Sequence, residues 1–366
     1  MNKLDPRNIY DDLHQIPELG FEEFKTSAYL ADKLEAMGYK VTRNIGGTGV
    51  IGEIKGSEPG PVMMLRADMD ALPFLIDGEK KNIHACGHDA HSAMLLAAAS
   101  DLVGKVKRGT LRILFQQGEE TLKGALAVID AGVIEDVDIA LGLHIRPVQD
   151  IAYGEMSPAV RHASSTFVNV VINGLSSHGA RPHLGVNAIE AAAVAINAIT
   201  AIKINPIIPW SCKVTGIKGG VAPNIIPDKV EMIVDARAQT NEAMTELLEK
   251  LRRAVTNAAA ALGATAEVTT PGGVIPAAEY DDELTAEVAE CIVEVVGEEK
   301  LAKELVNPGG EDFHYFVNKY PHIKAAYFGV GAAAAPGLHH QDMQLNKEAL
   351  PSGTAVLVKM VERKLG

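Results

Sequence analysis

The sequence predicts an α/β protein: a mostly parallel sheet with helices, interrupted by a smaller inserted α+β domain. Three observations carry this. Apolar runs of strand length alternate with helix-length segments up to about residue 143 and again from 282 onward, the order that parallel strands and crossover helices require. From about Ala163 the pattern changes to strands whose residues alternate inward and outward, as in an antiparallel sheet with one wet face. The length, 366 residues, exceeds one ordinary core and fits two domains.

The elements follow in order. Residues 22–38 have Phe24, Tyr29, Leu30, Leu34 and Met37 at helical spacing, with Gly38 as terminator. A strand at 40–44 leads into a glycine-rich turn. Gly47, Gly49 and Gly52 match the spacing of a dinucleotide-binding turn, but that motif needs a helix next. Gly49–Lys55 reads as a strand instead, so a hairpin is expected. Pro61–Arg66 is a strand, Ser92–Val106 a helix with Asp89 as N-cap, Leu111–Phe115 a strand, 123–131 a helix and Ile139–Leu143 a buried strand. The inserted part reads as strand 166–171, helix 185–203, strands 211–217 and 229–237, helix 241–262 and strand 264–270. That is the order of a split βαβ, ferredoxin-like unit. Residues 282–364 return to helix, strand (Lys324–Val330) and helix (346–364). The expected domains are therefore 1–163 with 273–366, and 164–272 inserted between them.

Composition excludes several function classes. Net charge is −13 with no Lys/Arg cluster, which argues against nucleic acid and anionic membranes as partners. No run of about 18 apolar residues exists to span a bilayer, and Met1–Pro6 lacks the apolar core of a signal peptide. The three cysteines, Cys86, Cys212 and Cys291, form no disulfide framework and fit a reducing cytosol. Aromatics are only 5%, so Ala, Val, Ile and Leu must fill the core.

The chemistry concentrates in His84-Ala85-Cys86-Gly87-His88-Asp89-Ala90-His91, where three imidazoles, a thiol and a carboxylate crowd together. These side chains bind transition metals, and a core has no use for them unpaired. In an extended segment Cys86 and His88 would share a face with His84, while His91 would enter the following helix. Spacing alone leaves open which of them are ligands.

Ligands in open α/β sheets lie beyond the carboxyl ends of the strands. Three apolar runs end in Arg66-Ala67-Asp68-Met69-Asp70, Gln116-Gln117-Gly118-Glu119-Glu120 and His144-Ile145-Arg146. A fourth, Lys324–Val330, runs through a Gly/Ala loop into His339-His340. Adjacent carboxylates at a strand end point apart, so one of Glu119 and Glu120 can bind metal while the other takes a proton from metal-activated water. In the inserted part, His178, Asn224 and Arg237 are read equally well as turn or solvated strand residues.

The matching segments Arg66–Pro73, His84–His91, Gln117–Glu120, Gly142–His144, His178–His183, Ala222–Asp228, Gly310–Phe313 and Leu338-His339 resemble, in order and over nearly the whole chain, one family. It is that of the two-metal amidohydrolases and exopeptidases, which includes hippurate hydrolases, N-acyl-amino-acid amidohydrolases and plant auxin-conjugate hydrolases. The resemblance implies a zinc-exopeptidase-like catalytic domain and an inserted dimerisation (lid) domain forming a homodimer. It implies two divalent metal ions (zinc, manganese or cobalt) held by Cys86, His88, Glu120, His144 and His339. Glu119 would be general base and acid, and Asp68 the supporting catalytic aspartate. His178 would stabilise the oxyanion in the partner's site, and Asn224 and Arg237 would hold the substrate's carboxylate. Within the cluster, Asp89 then becomes a helix cap, and His84 and His91 stand behind the ligands.

The implied reaction is amide hydrolysis of an N-acyl amino acid or short peptide. A dipeptidase or a succinyl-diaminopimelate-type deacylase is the alternative, and the cysteine ligand favours the acyl-amino-acid branch. The sequence departs from the family at Arg66, where His is usual, in a short Phe74–Ile83 loop, at Ile83 for Met, and at Met343 for Phe. The loop and the last two substitutions bear on the acyl pocket rather than on the chemistry.

Overall fold

A computed structural model of the chain describes residues 3–366. Met1 and Asn2, where the expected first domain and the N-terminal segment begin, lie outside the described residues. The chain divides into two compact units. The first runs to Arg161 and takes up Glu279–Leu305 and Glu311–Gly366; the second comprises His162–Ala278 and Val306–Gly310.

The first unit holds a seven-stranded sheet. In spatial order its strands are Lys40–Ile45, Gly49–Lys55, Arg108–Gln116, Glu58–Asp68, Ile139–Pro147, Lys324–Ala334 and Met156–Ser157. The four from Arg108–Gln116 to Lys324–Ala334 run parallel, so their carboxyl ends share one side. Ile139–Pro147 is buried at every position, as a central parallel strand covered on both faces must be. The first two strands form the expected antiparallel hairpin, so the glycine-rich turn is not a dinucleotide site. Helices His88–Leu102 and Asp282–Val296 each pack on helix Leu350–Leu365, and all three pack on the sheet. The first of them is buried on all sides through Ala99, which its Ala-rich sequence permits. No helix among the described residues is long and apolar enough to cross a membrane.

The second unit is a four-stranded antiparallel sheet, in the order Trp210–Gly219, Lys229–Ala238, Ser164–Asn173, Thr265–Thr269, with helices Ala188–Thr200 and Asn241–Ala261 packed against it. Val168, Val170, Ile172, Met232 and Val234 face that helix pair in one core. Phe167 and Ile233 lie on the opposite, exposed face, which is the alternation the sequence showed.

Four local expectations are corrected. The helix expected at Ser92 starts at His88, with Gly87 as its N-cap. Gly87 sits at φ 88 and admits no Cβ, which would lie 2.6 Å from Ile145, so the chain can turn into the helix four residues early. Asp89 is thus inside the first turn, hydrogen-bonded to His14 Nδ1 at 2.7 Å and accepting from Ala90 N–H. The Phe74–Ile83 loop is the body of a hairpin, Leu72–Ile76 with Glu79–Ile83, turning at Asp77-Gly78 with both residues at positive φ. The third parallel strand continues past Leu143 to Pro147, so His144 lies within it. Phe24 is 68% exposed, and the buried side of its helix is formed by Leu30, Ala31 and Leu34.

Candidate metal centre

The parallel strands bring distant residues to one place. Cys86 and His88 flank Gly87 at the mouth of the buried helix. Cys86 Sγ lies 3.4 Å from His144 Nε2. His339 Nε2 lies 3.2 Å from Glu120 Oε1, and His88 Nε2 is 3.9 Å from both that oxygen and Glu119 Oε2. Cys86, His88 and His144 can offer one atom each within 4.8 Å, as can Cys86, Glu120 and His339, and His88, Glu119 and Glu120. All these residues belong to the first unit.

The donors are oriented for a cation. His144 Nδ1 donates to Ile145 O at 2.5 Å, which leaves the Nε2 lone pair facing Cys86. Burial, together with His91 and Arg146, holds this imidazole well below its usual pKa and so keeps it neutral. His88 Nδ1 is 3.0 Å from Asp70 Oδ1, the carboxylate–histidine arrangement that orients metal-bound imidazoles. The outward atoms, His88 Nε2 and Glu120 Oε1, are buried without hydrogen-bond partners. Two orphaned acceptor-type atoms in such a donor set fit a bound divalent cation. Burial pushes the Cys86 thiol up to about 12; a neighbouring cation favours the thiolate.

Gly118, at φ 61, turns the strand Arg108–Gln116 into a single 3-10 turn, Glu119–Thr121. There Glu119 and Glu120 diverge. Glu120 is lowered: burial opposes this, but the neighbouring His339 and His88 imidazoles outweigh it. Glu119 is raised well above the usual carboxylate range by burial, then by Glu311, Glu120 and Asp312. Adjacent carboxyls pushed in opposite directions are a pattern of divided roles.

Beneath them lies a buried ionic network. Arg66, fully buried, donates to Gln116 Oε1 (3.0 Å), Asp68 Oδ2 (2.7 Å) and Asp312 Oδ1 (2.8 Å), and pairs with Glu311 Oε1 at 3.0 Å. Tyr327 OH donates to Glu311 Oε2 at 2.7 Å. His91 bonds Asp68 Oδ1 through Nδ1 at 2.6 Å, and its Nε2 accepts from Ile145 N–H.

Residues 64–363 match the model of Peptidase family M20/M25/M40. The chain belongs to peptidase family M20/M25/M40. It is 35% identical to thermostable carboxypeptidase 1 of Saccharolobus solfataricus over 87% of this chain and 84% of that protein. It is 31% identical to the N-acetyl-L-cysteine deacetylase of Bacillus subtilis over 96% and 86%. Among solved structures, the YXEP protein of Bacillus subtilis, described as a dinuclear metal-binding peptidase of the M20 family, superimposes with a TM-score of 0.81 at 29% identity, covering 98% of this chain and 97% of that one. This M20-family chain is a metal-dependent amide hydrolase with the α/β catalytic fold and inserted domain of its relatives.

Of the residues expected from sequence, the structure gathers Cys86, His88, Glu119, Glu120, His144 and His339, with Asp68 just below. Asp70, not Asp68, makes the direct hydrogen bond to His88; Asp68 serves Arg66 and His91. His84 joins none of the groups of converging donors. Its ring lies 6.3 Å from that of His14, and neither of its ring nitrogens has a hydrogen-bond partner. His178 and Asn224 meet in the second unit, where Gly179 N–H donates to Asn224 O at 2.8 Å and His178 Nδ1 accepts from Ala180 N–H. Both are exposed. Arg237 is bound by Asp235 at 3.0 Å and donates to Pro308 O. Asp70, Glu311 and Asp312 were given no site role by the sequence, although the first stands in one of its densest motifs.

Proposed function

We propose that the chain hydrolyses the amide of an N-acyl amino acid or short peptide, with Glu119 as general base and then acid. Cys86, His88, Glu120, His144 and His339 hold two divalent metal ions (zinc, manganese or cobalt). Bound there, the ions supply Lewis acidity to water and to the amide carbonyl. Glu119, buried and raised, takes the proton of the attacking water and returns it to the leaving nitrogen. Asp70 fixes the ring of His88, and the Nδ1–H of His144 fixes that of the second imidazole. The observation that carries this reading is the pair of orphaned atoms, His88 Nε2 and Glu120 Oε1, among converging donors.

The same reading makes the second unit the dimerisation (lid) domain of a homodimer, supplying His178, Asn224 and Arg237 as substrate-binding groups. A substrate carboxylate must then compete with Asp235 for Arg237. The three unpaired cysteines are in keeping with a cytosolic enzyme.

Two tests apply. In a panel of N-acetyl, N-benzoyl and indole-acetyl amino acids and dipeptides, each assayed with zinc, manganese and cobalt, N-acyl amino acids are expected to turn over fastest. The resemblance to a carboxypeptidase keeps the peptide reading alive; dipeptides as the better substrates would establish it. Glu120→Gln is expected to lose metal by elemental analysis while remaining folded. Full occupancy in that variant would remove Glu120 from the ligand set.

A further inference from the structure

The segment Glu18-Leu19-Gly20-Phe21-Glu22-Glu23 and the glycine-rich turn Gly46-Gly47-Thr48 have no part in the chemistry above, yet both converge on the turn that delivers it. Glu23 is fully buried. It stands at the N-cap of helix Phe24–Ala36 but gives that helix no side-chain cap. Its Oε1 instead accepts from Gly118 N–H at 2.8 Å, and its Oε2 from the Thr48 hydroxyl at 2.5 Å. Gln117 Nε2 donates to Gly46 O at 3.0 Å. The Phe21 ring lies over Gly118 so closely that a Cβ there would be 2.6 Å away, and the same ring lies 3.2 Å from where a Cβ on Gly47 would sit. From the other side Asp70 Oδ2 accepts from Glu120 N–H at 2.9 Å.

A left-handed turn has few local restraints of its own, and the residue after it inherits any freedom it keeps. Here Gly118 is the last residue before Glu119. A buried carboxylate is costly to desolvate and is retained where its hydrogen bonds matter. Both oxygens of Glu23 are committed to the turn and to the hairpin beside it.

We propose that Glu23 is a positioning residue: by clamping Gly118 N–H against Thr48, it sets the directions in which Glu119 and Glu120 leave the strand. The proposal rests on the roles given above to those two glutamates. It explains why the glycine-rich turn lies where it does: Gly46 and Thr48 are the far side of the clamp.

Three variants test it: Glu23→Ala, Glu23→Gln and Thr48→Val. The first readout is deuterium uptake of the metal-free chain in the peptide spanning 116–122. Glu23→Ala is expected to speed exchange there and to weaken cobalt binding to the metal-free chain. It should lower kcat by about 10- to 100-fold with little change in KM, the scale of a misplaced catalytic group. Glu23→Gln keeps an acceptor for Gly118 and a donor for Thr48, so it should restore slow exchange and most of kcat. If Glu23→Ala does not fold, Thr48→Val carries the test, with faster exchange and a loss of kcat of about threefold, the worth of one hydrogen bond. Unchanged exchange in Glu23→Ala, or in Thr48→Val where that variant carries the test, would overturn the clamp. So would an equal loss in Glu23→Ala and Glu23→Gln that follows their melting temperatures. The exchange result is independent of which group is the base, so failure of the clamp is separable from failure of Glu119 or Glu120 in their roles.

Discussion

Glu119→Gln should leave the fold and the metal content intact and lower kcat by about 10²–10⁴-fold, the usual contribution of a positioned general base. The amide keeps the shape of the side chain but cannot accept a proton. The pH profile gives the sign independently. Burial, Glu311, Glu120 and Asp312 all raise the Glu119 carboxyl, and the base works only when ionised. The rate must therefore fall with acidification at a pH above the ordinary carboxylate range, and the residual activity of the variant should lack that limb. Turnover within threefold of the parent, or an unchanged acid limb, would mean that another group takes the proton.

The second large effect is on stability. Arg66→Met should destabilise the first unit by about 3–5 kcal/mol, the cost of leaving buried charges without their partner, measured by chemical denaturation. Four acceptors converge on the guanidinium: Gln116, Asp68, Glu311 and Asp312. Burial, with Glu311 beside it, already pushes the Asp312 carboxyl up to about 8 even with Arg66 present. Removing the cation takes away the Arg66 contribution that lowers Asp312, so this carboxyl rises further in the folded state but not in the unfolded one. Stability tied to a raised folded pKa is present at low pH and lost as pH rises. The deficit of the variant should therefore be largest above about pH 8 and shrink towards pH 5. Arg66→Lys should recover only part of it, because an ammonium cannot reproduce the planar fork. A loss below about 1 kcal/mol that does not vary with pH would show that the network is not charge-compensated by Arg66.

The contrast between these sites shows what sequence can carry. Glu119 and Glu120 were legible because chemistry and strand-end position coincide within a few residues. Cys86 and His88 stood out as members of a dense cluster whose spacing left its ligands open, so that only the family resemblance singled them out, and His144 followed from the end of an apolar run. The start of the buried helix was not legible, because Asp89 is a conventional N-cap while the actual device is the left-handed Gly87, whose need for glycine comes from Ile145 far along the chain. The Leu72–Ile83 hairpin was missed although Asp77-Gly78 is a strong turn signal; its flanking residues are too polar on one side to read as paired strands. Arg66 was read as a departure from a family pattern. Its function appears only when Glu311 and Asp312 arrive beside it in space. Glu23 has no local signal at all, since its partners come from two other segments.

The position of Lys324–Ala334 in the central sheet also bears on how the protein is born. Its neighbour Ile139–Pro147 is synthesised first and then waits while the whole second unit emerges, roughly 10–35 s at ribosomal rates of 5–20 residues per second. During that interval an apolar strand has one bare edge. The final stretch of chain closes that edge and carries in His339 within the same few residues. The nascent chain therefore gains its last proposed metal ligand together with its last central strand, and cannot present the complete donor set before the sheet is sealed.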